Sequence, residues 1–297
     1  MNEETYHTKI TILIVLFKEN TEIIFKTLNK LKSFKKIIVD NAGNFEIKKK
    51  IQKNFLIEKY IVNKKNIGFS AGYNQALSLS STKYSLILNP DCIIDEKNII
   101  RLVDAYIKCE NCFLVVPTSY DENNNFTYSG GLLPENDDKN NILELSGDTC
   151  IESALGTCML INTNNAIDFG LFDENFFLYF SDDDLCRRIK KNKQSIIQVF
   201  KAKCFHKHGN IKVKNKFYKT FIREYNYTFD ELYYFYKINR HNELINIYKK
   251  KIPLYFVRVL SKIFTFKFLD GIKIFSRILA YLRFIFKFKI KKKNNQI

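Results

Sequence analysis

A chain of 297 residues with 46% hydrophobic and 27% charged side chains is long enough to bury a large core and excludes wholesale disorder. The formal charge of +17 is uneven: residues 251–297 hold twelve Lys or Arg against Asp270 alone, which leaves +6 for the first 250 residues and assigns any electrostatic partner to the tail. Seven irregularly spaced cysteines and the opening MNEETYHTKI fit a reducing cytoplasm rather than a secreted disulfide framework, and no uncharged apolar run reaches the length of about eighteen residues that a spanning helix needs.

In chain order, short apolar runs alternate with segments of helical spacing. ITILIVLF (10–17) precedes TEIIFKTLNKLKSF, KIIVD (36–40) precedes FEIKKKIQKNF, and IEKYIVN (57–63) precedes SAGYNQALSLS. YSLILN (84–89) precedes EKNIIRLVDAYIK, and CFLVVP (112–117) follows. Continuously apolar strands separated by helices predict an α/β fold with a mostly parallel central sheet covered on both faces. Residues 119–149, rich in Asn, Asp, Gly and Ser, predict a long irregular loop, a feature more often functional than incidental. ALGTCMLIN (154–162) then reads as a strand, FDENFFLYF (172–180) as a loop packed down onto the sheet, and DDDLCRRIKKN (182–192) as a helix with acids at its start. SIIQVF (195–200) is one more strand, ahead of KAKCFHKHGNI. The sheet domain is thus expected over 1–215 and a helical, basic region over 216–297.

Ligands of such sheets bind at the carboxyl ends of strands, which makes Asp40, Asn63 to Asn66 and Asn89 to Asp91 the residues of interest. In LILNPDC (86–92) a buried strand delivers Asp91 to that edge directly after a proline. A carboxylate there suits Mg²⁺ or Mn²⁺, which shares its remaining positions with phosphate oxygens; the plain alternative is an Asn-Pro-Asp turn. NKKNIGFSAGYNQAL (63–77) joins a strand end, a Gly-bearing turn and an amphipathic helix, an arrangement that brings backbone N–H groups to an anion. It lacks the glycine spacing and the Lys-Ser or Lys-Thr of a P-loop. The acids Asp182, Asp183 and Asp184 have a structural role open to them as well, since acids in a first helical turn stabilise the dipole by about 0.3–1 kcal/mol.

Taken together, VDNAGN (39–44), NKKNIGFSAGYNQAL, LNPDC, GTCMLI (156–161), FFLYFSDDDLCRR and HKHG (206–209) resemble, in order and spacing, the family 2 glycosyltransferases. The likeness runs over residues 9–210 and is closest to the bacterial rhamnosyltransferase-like branch. It implies a GT-A fold, a nucleotide-sugar donor, a divalent metal and inversion at the anomeric carbon. By this resemblance Asp40 matches the acid that contacts the nucleotide base, and Asn66 and Gly68 match the N-x-G-F turn of the nucleotide pocket. Asn89 and Asp91 match the N-P-D form of the D-x-D motif, whose last Asp meets the metal, and Gly156 opens the strand beside the acceptor. SDDDLCRR aligns with E-D-x-D-L-x-x-R, which puts Asp182 on the catalytic base, Asp184 on a second, acceptor-side acid and Arg188 on the motif's Arg. His206 matches the His that approaches the metal, with His208 as its rival. Ser181 stands where the family has Glu and Asp183 where it has an apolar residue, so the base remains open among the three acids. FKEN (17–20) and the AGN after Asp40 also depart from the family pattern near the nucleotide base.

The residue types suit the chemistry independently. Moving a glycosyl group from a nucleoside diphosphate to a hydroxyl removes a proton on one side while charge grows on the departing phosphate on the other. A positioned carboxylate contributes typically about 10²- to 10⁴-fold as general base, and a divalent cation stabilises the leaving oxygen as a Lewis acid.

In the tail, Arg258, Lys262, Asp270, Lys273, Arg277, Arg283 and Lys287 fall in one helical arc, with Leu260, Ile263, Phe264, Phe275, Leu279, Leu282 and Phe286 largely outside it. A basic face opposite an aromatic-aliphatic face predicts that 251–293 lies on an anionic membrane surface. That location, peripheral at the cytoplasmic face, suits a lipid-linked glycan acceptor in surface-polysaccharide or O-antigen synthesis; the plain alternative is a core-packing appendage. No nucleic-acid recognition motif accompanies the charge. Two other functions compete: a nucleotidyltransferase on the same type of sheet, which is expected to carry a Gly-rich basic loop where VLFKEN has no Gly, and a non-enzymatic basic membrane adaptor.

Overall fold

In the computed structural model, which describes residues 6–127, 130–136, 146–206 and 215–294, the first strand β1 (Ile10–Leu16) shows why its run is apolar at every position but Thr11. Ile10, Ile12, Ile14 and Leu16 enter one core cluster while Leu13, with Val15 at its margin, enters another on the opposite face. Successive side chains of a strand point to opposite faces, so a strand covered on both sides is apolar on both, and its one polar residue, the buried Thr11, is satisfied by a hydrogen bond to the Thr82 hydroxyl at 2.7 Å.

The chain continues through α1 (Thr21–Asn29), β2 (Lys35–Asp40), α2 (Phe45–Asn54), β3 (Lys59–Val62), α3 (Gly68–Leu77), β4 (Tyr84–Leu88), β5 (Cys92–Ile94), α4 (Glu96–Lys108) and β6 (Cys112–Tyr120). Asn20, Asn44 and Asp95 cap α1, α2 and α4, each accepting from backbone N–H groups of the first turn. The short strands β7 (Phe126–Thr127), β8 (Gly130–Gly131), β9 (Thr149–Cys150) and β10 (Ser153–Ala154) lead to β11 (Cys158–Asn162), α5 (Thr163–Phe169), α6 (Ser181–Lys191) and β12 (Ser195–His206). Three helices follow: α7 (Lys216–Lys237), α8 (His241–Phe264) and α9 (Phe268–Asn294).

The main sheet has the order β3-β2-β1-β4-β11-β6-β12-β5. Its first four strands are parallel neighbours, as expected, but β11 is antiparallel to both β4 and β6. The reversal has a simple cause. Having left β6 at its carboxyl end, the chain returns to the sheet through β11 in the opposite direction, so β11 begins opposite the end of β4, Cys158 facing Leu88. The expected strand over 154–162 is accordingly two strands, with a turn at 155–157 on that edge. β12 runs six residues past its expected end at 200. A register irregularity between Val199 and Lys203 lets Cys204 and Phe205 pair with both β5 and β6, and brings His206 beside Cys92 of β5.

The chain divides into two compact units, Met1–Asn175 with Ser181–Lys212, and Phe176–Phe180 with Val213–Ile297. The expected packing of the whole 172–180 loop onto the sheet is therefore corrected. Phe172 joins the sheet's core, whereas Phe176 joins Tyr233 and Tyr234 of α7, its ring centroid 4.8 Å from that of Tyr233. The fully buried Asp230 of α7 fixes this segment by accepting the backbone N–H groups of Phe177, Leu178 and Tyr179 at 3.3, 3.0 and 2.9 Å. Burial outweighs those bonds and pushes its carboxyl up to about 6.

Within the helical unit α7 and α9 share an aromatic core that includes Phe229, Tyr234, Tyr281 and Phe284. Part of the basic arc points toward this core rather than away from it. Arg277 pairs with Glu224 at 2.6 Å, Arg283 donates to the Tyr225 hydroxyl at 2.8 Å, and Lys287 lies 5.4 Å from the Phe229 ring centroid. Phe275, Leu282 and Phe286 of α9 are exposed. Among the described residues no helix is long and apolar enough to cross a membrane.

Candidate active site

At the end of β2, Asp40 is 2% exposed and its carboxylate organises the turn that follows. Oδ1 accepts from the N–H groups of Ala42 and Gly43 at 2.8 and 3.1 Å; Oδ2 accepts from the Asn44 N–H at 3.0 Å and the Tyr60 hydroxyl at 3.2 Å. Its geometry is that of a positioning group. At the next strand end, Asn66 accepts from the N–H of Gly68 at 2.9 Å, and Gly68 has φ +90°, a conformation that favours glycine. Asn41 donates to the Gly68 carbonyl at 3.0 Å, and Asn63 donates to the side-chain oxygens of Asn41 and Gln75, both at 2.9 Å. Asp40, Asn66 and Gly68 thus belong to one hydrogen-bonded rim across the ends of β2 and β3 and the start of α3.

β4 delivers Asn89 and Asp91 to the same edge. Tyr73 donates to the Leu88 carbonyl and to Asn89 Oδ1 at 2.9 and 3.2 Å, and the buried Thr27 hydroxyl donates to the Pro90 carbonyl at 2.8 Å. So held, Asp91 Oδ1 lies 3.2 Å from Nε2 of His206, which the long β12 carries to the register position opposite Cys92. Among the described residues no group of three or more His, Cys, Asp or Glu side chains is arranged to hold a metal. One carboxylate and one imidazole nevertheless fit a cation that takes most of its ligands from phosphate and water, as Mg²⁺ does and Mn²⁺ accepts. His208, the rival of His206, lies outside the described residues.

The third part is built by the first turn of α6. Asp182 Oδ2 accepts the N–H of Gly156 at 2.8 Å, and burial pushes its carboxyl above the usual carboxylate range, against the pull of its backbone hydrogen bonds. Gly156 has no room for a side chain: a Cβ there would meet Phe69 Cζ at 2.8 Å and Asp182 Oδ2 at 3.5 Å. The next residue, Thr157, accepts the backbone N–H of Asn89 at 2.9 Å. The 155–157 turn therefore joins the Asn-Pro-Asp segment to the acid of α6. Asp183 accepts the hydroxyl of Ser153 at 2.7 Å, a tie to β10 beyond the helix-start charge expected of it. Asp184 is 4% exposed and pairs with Arg188 at 3.0 Å, and Arg188 donates to the carbonyls of Gly170 and Leu171 at 3.1 and 2.5 Å. These two residues anchor the loop after α5.

Glu19 was visible in FKEN only as a departure from the family pattern. Its carboxylate accepts the Phe17 N–H at 2.5 Å directly beyond β1, and burial, with added repulsion from Asp91 and Asp40, pushes it up to about 8. The rule that selected Asp40, that polar residues just past a buried strand line the site, selects Glu19 equally.

The model of the family described as "Glycosyl transferase family 2" matches residues 11–164. Among curated proteins the chain is similar to the low-salt glycan biosynthesis hexosyltransferase Agl10 of Haloferax volcanii, with 24% identity over 221 residues that span 69% of each chain. Its fold is similar to that of the mannosyltransferase PcManGT of Pyrobaculum calidifontis, solved with GDP-Man and Mn²⁺, at TM-score 0.53 and 8% identity over 94% of this chain and 88% of that one. It is also similar to GalNAc-T7, solved with UDP, GalNAc and Mn²⁺, at TM-score 0.56 and 13% identity over 76% of this chain; there the likeness spans about half, 51%, of the other protein. The family model alone covers more than half of the chain, and with the fold and the strand-end site it leads to one conclusion: this protein belongs to glycosyl transferase family 2 and is a glycosyltransferase with the GT-A fold.

Proposed function

We propose that the protein is an inverting, metal-dependent hexosyltransferase that moves a sugar from a nucleoside-diphosphate donor to a hydroxyl of a lipid-linked glycan, with Asp182 as general base. The carrying observation is the 155–157 turn, whose two successive backbone groups contact Asp182 and the Asn89 end of the Asn-Pro-Asp segment. A base and a diphosphate-binding edge tied through one short turn match a displacement in which the acceptor is deprotonated on one side and the diphosphate departs on the other. The raised affinity of the half-buried Asp182 for a proton strengthens it as a base, and the Gly156 N–H holds the carboxylate in one orientation. Asp91 and His206 would hold Mg²⁺ or Mn²⁺, which supplies charge stabilisation for the departing diphosphate. Asn66, Gly68 and Asn89 bound the donor pocket, with Asp40 and Glu19 shaping its base end; Gly156 lies on the acceptor side, where Asp184 and Arg188 act by anchoring the neighbouring loop.

The sequence likeness to a protein named as a glycan-biosynthesis hexosyltransferase supports a hexosyl donor and a glycan acceptor. The resemblance of the motifs to the rhamnosyltransferase-like branch favours dTDP-rhamnose, and a UDP-hexose is the second donor class. The basic tail supports a peripheral place at the cytoplasmic membrane face and a role in surface-polysaccharide or O-antigen assembly. Donor hydrolysis and transfer, measured with and without Mn²⁺, test the metal edge. Asp91→Ala is expected to lower the Mn²⁺-stimulated rate by about 100-fold or more; an undiminished response to Mn²⁺ in that variant would sink the assignment.

A further inference from the structure

The helical unit carries an apolar surface that no described residue covers. Among the described residues, twelve of the twenty-four exposed large hydrophobic side chains fall between Leu254 and Phe286, so this one stretch holds half of them. They are densest at the α8–α9 turn, where Phe264 is 81% and Phe266 80% exposed, with Leu260, Ile263 and Phe268 beside them. Exposed apolar clusters of this kind mark contact surfaces rather than ordinary solvent-facing skin.

The turn itself is well built. Thr265, Phe266 and Lys267 donate backbone N–H groups to Ser261, Ile263 and Lys262 at 3.0, 3.1 and 2.8 Å, and at Gly271 the start of α9 comes so close that a Cβ would lie 3.5 Å from Lys262 Cβ. Phe266 closes the helix with φ +55°, in the left-handed region where helix ends favour glycine. A phenylalanine there strains the backbone and gains little burial in the free protein. Its ring is presented outward next to that of Phe268, with centroids 6.0 Å apart.

We infer that the α8–α9 turn, led by Phe264, Phe266 and Phe268, is the element that inserts into the interface of an anionic lipid bilayer. This deepens the peripheral-membrane part of the function proposed above and is independent of the transfer chemistry. Charge selects lipid over a second copy of the chain. Lys262, Lys267 and Lys273 flank the apolar tip, and the nearby acid Asp270 is paired with Lys273 at 3.0 Å. Two such tips facing each other would bring like charges together, whereas anionic headgroups neutralise them while the lysine stems lie along the apolar surface. The expected docking face of the tail changes with this assignment: Arg277, Arg283 and Lys287 are occupied by α7, so the contact is led by the apolar tip with lysines at its rim.

The test is sedimentation of the full chain with vesicles of phosphatidylcholine alone or mixed with phosphatidylglycerol. Wild type is expected to bind the mixed vesicles and to be weakened by salt. The double variant Phe264→Ser, Phe266→Gly is expected to bind them at least about tenfold more weakly. Glycine suits the left-handed position, so the variant should unfold no earlier than wild type, and its donor hydrolysis in solution should be unchanged. Equal vesicle binding by both proteins would overturn the assignment. So would a wild type that ignores vesicles and dimerises through this face by light scattering. Loss of solution activity in wild type would count against the transferase proposal alone.

Discussion

The two units of this protein use apolar residues in opposite ways. In the sheet unit, β1 buries every second residue on one face and the rest on the other, and what gathers at the carboxyl edge is polar: Asp40, Asn66, Asn89 and Asp91, with Asp182 of α6 tied to them through the 155–157 turn. In the helical unit, charged stems of α9 lie against the aromatic residues of α7 while Phe264, Phe266 and Phe286, the last 67% exposed, face outward. An apolar run therefore has two meanings, and its neighbours decide between them. Runs flanked by helices on both sides are core, whereas runs studded with Lys and Arg can turn their cations inward onto aromatic faces and leave hydrocarbon outside.

The sharpest way to break this comparison is at Asp230, which fastens Phe177 to Tyr179, the segment just before α6, to α7. Asp230→Ala leaves three backbone N–H groups without their acceptor and is expected to cost about 3 kcal/mol or more in urea unfolding. The conservative Asp230→Asn sharpens the point through pH. Because the folded pKa of about 6 lies above the ordinary 3.8, the protonated acid is the form the fold favours. Its stabilisation is full at low pH and falls as pH rises from about 4 to about 6, by at most about 1.4 kcal/mol per unit. The difference in stability between wild type and Asp230→Asn should show that slope; a flat difference would mean that the buried acid is ionised throughout.

A smaller effect is expected in the sheet unit at Gly156. The Cβ of Gly156→Ala would press on Phe69, which packs against Tyr73 and Phe172 with centroids 4.6 and 5.3 Å away. A stability loss of about 1–3 kcal/mol should result. The rate should fall with it as the N–H is displaced from Asp182, while donor affinity holds. Unchanged stability and rate would show that the turn has slack, and would weaken its role as the link between base and donor edge.

Much of this was legible in the sequence because it is local. The apolar runs from Ile10 to Val116 are two-sided strands, Asp91 follows its strand through a proline, and the acids of 182–184 begin a helix, as their order indicates. What was not legible depends on partners distant in the chain. Lys201 and Lys203 alternate with the buried Ala202 and Cys204, so the extension of β12 that brings His206 to Asp91 is masked by lysines. Phe176 belongs with α7 because of Asp230, some fifty residues later. The inward turn of Arg277 needs Glu224, an acid on another helix that no helical wheel of the tail contains. Asp184 and Arg188 match a family motif, yet their contacts with each other and with Gly170 and Leu171 appear only in three dimensions.

The central claim is that Asp182 is the base. It is tested most directly by transfer to a glycan acceptor, measured as kcat against pH, together with donor binding, in wild type and Asp182→Asn. The asparagine keeps the shape of the side chain and can still accept the Gly156 N–H but cannot take the acceptor's proton. The account predicts unchanged donor affinity and a kcat lowered by about 10²- to 10⁴-fold. In wild type, kcat should fall as pH drops through the raised pKa of the carboxyl. Full turnover in Asp182→Asn, with the same dependence on pH, would contradict it.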